Sequence, residues 1–267
     1  MAIQPNYPIT NAGTYYVIGA QMSPGTTTSL LNIAAGQCRD STNINDIKVT
    51  APVIVSIAVN GANGLDSGVI AANTFYSVYV IGNSTANDPS VVTDASGGGF
   101  FQAAQGLLSL SSTAPALPTG YDMFRRIGYI LTSAGSVILK FDQVGNNSQR
   151  WMYYDAPIVC LAATAQSAFT ALNINVTNNS VPSIATNVLF EANLLPNAAG
   201  EFVALQPASS TNATGYYARM SGSVGGVHKF GDLITPCSIV GGNPTINYVT
   251  DAASTVALNV VGYLDQL

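Results

Sequence analysis

Charge is what this chain has least of. Its 267 residues include only 8 Lys+Arg, 13 Asp+Glu and one histidine, so 8% are charged, against about 25% in an ordinary globular domain. Two glutamates (Glu191, Glu201) and three lysines (Lys48, Lys140, Lys229) leave little material for long exposed helices, whose outer faces use these residue types. Eight scattered basic residues and a net charge of −5 argue against nucleic acid, whose binding rests on Lys and Arg neutralising phosphates. The longest apolar run, Ala51 to Val59, is broken by Pro52 and Ser56. It falls well short of the ~18 residues that a spanning helix needs, so no membrane partner is expected. Met1–Asn6 has neither the basic nor the apolar region of a secretion leader.

Catalytic and metal-binding signals are equally sparse. Cys38, Cys160 and Cys237 are odd in number and far apart, with no zinc-type spacing. They are expected to be mostly buried free thiols in a protein folded under reducing conditions, with one disulfide and a leftover thiol as the alternative. There is no GxSxG elbow, Walker A loop, GxGxxG or HExxH. His228, with Asp232 four residues on, reads as a loop or strand-edge histidine rather than a general base. Glu191 and Glu201 flank Pro196–Gly200, so a hairpin could bring them together as a glycosidase-type pair. Asn60, Asn63 and Asp66, or Asp40 and Asp46, offer hard oxygen ligands without EF-hand spacing. The expectation is no enzyme, no cofactor and no metal.

What is plentiful is Val, Ile, Thr, Tyr and Phe in short runs bounded by Gly, Pro, Asn and Asp, the pattern of strands and turns. Strands are expected at Tyr15–Ile18, Ser29–Ala35, Asp46–Val59, Thr74–Ile81, Gly106–Leu110, Phe124–Thr132, Ser136–Phe141 and Gln149–Tyr154. The second half adds Ala168–Val176, Ala185–Asn193, Glu201–Leu205, Tyr216–Ser221, Thr245–Val249 and Thr255–Tyr263. The Thr74–Ile81 strand is apolar on both faces and belongs in a buried sheet. Short links at Ser133–Gly135 and Gly145–Asn147 favour a meander through residues 124–154. Many short strands at regular spacing imply an all-β fold of antiparallel β-sandwich or jelly-roll domains. The expected organisation is an extended N-terminal arm over 1–28, a first β-sandwich over 29–155 and a second over 156–267, with the boundary at Asp155-Ala156-Pro157.

Arg125 and Arg126 are neighbours in an expected strand, so they point to opposite faces. One of them is expected to reach inward or into a subunit contact, with Asp122 or Asp40 as partner. Arg39, Asp40, Arg125 and Arg126 are therefore the candidate subunit-contact residues.

Four segments carry a resemblance. These are Leu31–Asn43, Val59–Gly68, the Thr74–Ile81 strand, and Leu117-Pro118-Thr119-Gly120-Tyr121 with Phe124-Arg125-Arg126-Ile127-Gly128. In order and spacing, over roughly residues 29–130, they resemble virion accessory proteins of tailed bacteriophages, of tail-fibre, collar-fibre, head-fibre or capsid-decoration type. The resemblance implies a β-rich, trimeric, non-enzymatic particle component, assembled in the host cytoplasm and contacting itself and other virion proteins. The low-charge exterior agrees with burial against neighbours, since interface cores are depleted in charge. A receptor- or glycan-binding module, using Tyr- and Asn-rich loops of the second half, is the other expectation. A polysaccharide depolymerase using Glu191 and Glu201 is the third.

Overall fold

The computed structural model describes residues 16–84, 104–146, 149–174, 180–211, 215–251 and 254–267. Among these there is no helix, and the chain is all-β. The first half supplies β1 (Val17–Gly19), β2 (Met22–Pro24), β3 (Leu30–Ile33), β4 (Gly36–Arg39), β5 (Asp46–Val49), β6 (Val53–Ser56), β7 (Gly64–Leu65), β8 (Phe75–Gly82), β9 (Gln105–Ser109) and β10 (Met123–Leu131). The second half supplies β11 (Phe141–Asn146), β12 (Gln149–Thr164), β13 (Thr170–Asn173), β14 (Asn187–Leu195), β15 (Phe202–Pro207), β16 (Ala218–Ser221), β17 (Lys229–Pro236), β18 (Ser238–Val240), β19 (Asn243–Thr250) and β20 (Thr255–Gln266).

The first half forms two three-stranded sheets, β1-β4-β5 and β2-β3-β6, and a four-stranded sheet, β10-β8-β9-β7. The second half is a sandwich of two five-stranded sheets, β11-β12-β20-β14-β17 and β13-β19-β15-β16, with β18 on β19 as the fifth strand of the latter. Among the described strands all pairings are antiparallel except β7 with β9, beside which Asn60 and Leu65 form a parallel bridge. As its composition implies, β8 is buried along nearly its whole length. In the second half the alternation is regular: Val188, Phe190, Ala192 and Leu194 of β14 point inward with Val256, Leu258 and Val260 of β20. They meet Val203, Leu205, Ile246 and Tyr248 of the facing sheet, and one apolar cluster continues from there into the first half.

Several expected elements are redrawn. The long strand over 46–59 is two strands, because Thr50-Ala51-Pro52 interrupts it and sends β5 and β6 to different sheets. Pro52 has no N–H to continue a ladder. The meander is only its last hairpin, β11–β12, since β10 pairs with β8. Ser136–Phe141 holds a single bridge, Ile138 with Thr132, before β11 begins at Phe141.

Of the arm over 1–28, residues 1–15 lie outside the described residues. Val17–Gly19 and Met22–Pro24 are strands of the body, because Val17, Ala20 and Met22 are buried. Asp155-Ala156-Pro157 lies inside β12, where pairing with β20 shifts register between Tyr153 and Ile158.

Candidate functional site

Two places concentrate the chemistry of this chain. The first is a buried polar node where the halves meet. Arg126 leaves β10 and grips Asp265 of β20, with Nη1 donating to both carboxylate oxygens at 2.9 Å and Nη2 to the carbonyl of Gln266 at 2.6 Å. Its guanidinium also lies 4.7 Å from the centre of the Tyr129 ring. Arg150 of β12 is fully buried and donates to the carbonyls of Gly19 and Ala20 and to Oε1 of Gln143. Gln143 in turn accepts from the Met22 amide at 2.8 Å and donates to the Ile127 carbonyl at 3.3 Å.

The result is a polar chain from β12 through β11 to the β1–β2 turn and β10. Burial pushes the Asp265 carboxyl up, and the Arg126 and Arg150 charges draw it back. Burial also lowers Arg150, to about 10. Gly128 opens this space: it sits at the β10 bulge with φ +152, and a Cβ there would lie 2.4 Å from Cε of Met22.

The candidate contact residues all have partners within the chain. Arg126 pairs with Asp265, in place of the expected Asp122 or Asp40, because Asp122 is taken by Ser84 and Asp40 by its own loop. Arg125, on the opposite face, donates to the Arg39 carbonyl and to Oδ1 of Asn43. Arg39 forms an ion pair with Asp46 at 3.1 Å and donates to the Ile44 carbonyl. Asp40 is buried and accepts from Thr42 Oγ1, the amides of Ile44 and Asn45, and Asn45 Nδ2. Burial opposes its charge, yet these bonds outweigh that and hold its carboxyl below the usual range. The four residues thus fix the 40–45 loop onto β10 and join β10 to β20.

The other candidates separate. Among the described residues no group of three or more His, Cys, Asp or Glu is placed to hold a metal. Asn63 bonds Gln105 and the Gly106 amide, and Asp66 accepts from the Ala116 amide. Glu191 and Glu201 are not joined by a hairpin: residues 196–201 cross from one sheet of the sandwich to the other. Glu201 instead accepts from Ser254 and from the Asn197 amide, which lowers its carboxyl. His228 bonds Asn193 at 2.8 Å and stacks on Phe230, so Asn193 rather than Asp232 orients it. The three cysteines are free, Cys38 and Cys160 buried and Cys237 half-buried. Burial raises their thiols to about 12, 12 and 11 respectively.

The second place is a groove of about 500 Å³ on the outer face of the β13-β19-β15-β16 sheet. Alternation along β15 turns Phe202 and Gln206 outward, and the register sets Gln206 beside Asn247 of β19. The segment leading into β13 raises Ser167 and Phe169 on one side, and Tyr216, just before β16, stands among the aromatic rings. Tyr216 is 6.2 Å from Phe169 and 5.7 Å from Phe202, centre to centre. Arg219 lies 4.1 Å from the Phe202 ring centre and 5.5 Å from that of Tyr216. The tyrosine richness of the second half pointed loosely here, but Phe169 and Phe202 come from separate strands and share no sequence motif.

No protein-family model matches this chain, and no curated protein matches it. Among solved structures, the carbohydrate-binding module CBM6cm-2 of Cellvibrio mixtus lichenase 5A, in complex with cellotriose, is similar at 12% identity. That match covers 48% of this chain and 87% of the other, with a TM-score of 0.22. The structure of infectious bursal disease virus, Gt strain, is similar at 11% identity over 94% of this chain and 67% of the other, with a TM-score of 0.21. Both likenesses are remote, and the all-β architecture rests on this chain's own strands.

Proposed function

We propose that this protein is a non-enzymatic structural component of a tailed-phage particle, in the tail or collar fibre apparatus, associating as a homotrimer. The resemblance over residues 29–130 supports the particle, and one structural observation carries the assembly. Many of the few charged groups are engaged internally, while the outer face of the β11-β12-β20-β14-β17 sheet carries apolar side chains beside the acidic Glu191 and Asp232. Val144, Trp151 and Leu264 lie side by side across β11, β12 and β20, and Leu189 lies beside Ile234 across β14 and β17. Phe230 shares the Ile234 face of β17 and is 60% exposed. Scattered apolar side chains on a surface need no explanation, whereas a row of them across a sheet marks a contact surface.

The test is light scattering on the purified full chain, with and without F230D/I234D, together with labelling of particles by the tagged protein. A defined oligomer that the double substitution dissolves, and label at a fibre or collar, support the reading. A monomer that never joins particles removes it, and label spread over the capsid moves the protein to capsid decoration.

A further inference from the structure

We infer that the groove on the outer face of the β13-β19-β15-β16 sheet is a binding site for an uncharged, pyranose-containing oligosaccharide. The face of a sheet is ordinarily a shallow surface; here it is walled into a concavity, of a volume within the about 300–1,000 Å³ typical of small-ligand sites.

The chemistry of the wall selects the ligand class. The rings of Phe169, Phe202 and Tyr216 offer π faces with a negative quadrupole, which suit the C–H-rich face of a sugar ring. Asn247, Ser167 and Thr211 carry amide and hydroxyl groups that both donate and accept, as sugar hydroxyls do. None of the residues lining the groove is charged, and Arg219, which borders it on the same sheet face, has its guanidinium engaged on two of the lining rings. Arg219 packs against the Phe202 and Tyr216 rings, and we assign it the role of positioning them. The aromatic wall is therefore held before any ligand arrives, which lowers the ordering cost of binding.

The experiment uses the full chain with cello-, xylo-, manno- and galacto-oligosaccharides, read by saturation-transfer NMR and calorimetry. A galacturonic acid oligosaccharide serves as the charged comparison. At least one neutral series is expected to bind, and F169A and Y216A are each expected to weaken it by about tenfold. Tyr216 is exposed and Phe169 half-buried, so the thermal melt of Y216A should remain near that of the unsubstituted protein. R219A should weaken binding as well, with R219K restoring part of it. Absence of binding to every neutral series at millimolar concentration, binding indifferent to F169A and Y216A, or preference for the charged oligosaccharide overturns the assignment. F230D/I234D alters a different face, so sugar binding that survives it separates failure of the assembly reading from failure of this one.

Discussion

Asp265→Asn is the substitution that most directly tests how the two halves are joined. The carboxylate is fully buried, receives two hydrogen bonds from Arg126 and also faces the charge of buried Arg150. The amide keeps the shape but removes the negative charge, leaving two guanidinium groups without a counter-ion. Removing one partner of a buried pair costs about 3–5 kcal/mol, because the survivor stays desolvated. At about 2–4 °C per kcal/mol for a chain of this size class, the melting temperature should fall by about 6–20 °C.

A double-mutant cycle with Arg126→Met separates the pair from simple loss of packing. Met keeps an apolar stem over Tyr129 and needs no counter-ion, so R126M/D265N should lose less than the sum of the single variants. Calorimetry at neutral pH supplies all four melts. A D265N cost within the ~0.5 kcal/mol of ordinary surface substitutions, or strict additivity across the cycle, would refute the node as the joint.

Three further outcomes follow from the geometry. Cys38, Cys160 and Cys237 titrate at about 12, 12 and 11 in the fold, against 9.0 for a free thiol. The unfolded state therefore loses protons first, and stability should be intact below pH 9 and decline as pH rises towards 12, as denaturant midpoints across that range will show. Buried Tyr154 and Tyr263, also raised, push the same way; lowered Arg150 opposes them with one group. Asp40→Ala strips a buried loop of its acceptor and should cost about 1–3 kcal/mol by urea melt. That loss should shrink in acid, because a carboxyl held low stabilises only above its folded pKa. Gly106→Ala places a Cβ 2.2 Å from Cγ2 of Val55 and should destabilise by about 1–3 kcal/mol, with Val55→Ala as the relieving second change.

The fold class was legible because alternation and turn chemistry are local. Val188, Phe190, Ala192 and Leu194 announce their sheet face without knowledge of any neighbour. Strand partners were not legible, since β10 and β11 are nearly adjacent in sequence yet belong to different sheets. Polar strands were also missed: Gly36–Arg39 has only Cys38 as an apolar anchor, and its edges are set by β1 and β5. The polar node left a trace that could have been read. Arg150 occupies an inward position in step with Met152 and Tyr154, which a solvated charge does not do. Asp265, by contrast, is turned inward only by the register shift in β20 and breaks the alternation of Val256, Leu258 and Val260. The groove left almost none, because Phe169, Phe202 and Tyr216 converge only after three strands have been aligned.

The order β11-β12-β20-β14-β17 also sets a timetable. β12 and β14 each wait for β20, which threads between them and is made last of the three. Until residues 255–266 leave the ribosome, two long strands present open backbone edges and apolar inner faces to whatever is nearby. Synthesis that stops short of that strand yields sticky fragments rather than a smaller working protein. A cell making this chain in quantity must therefore shield it for most of its translation.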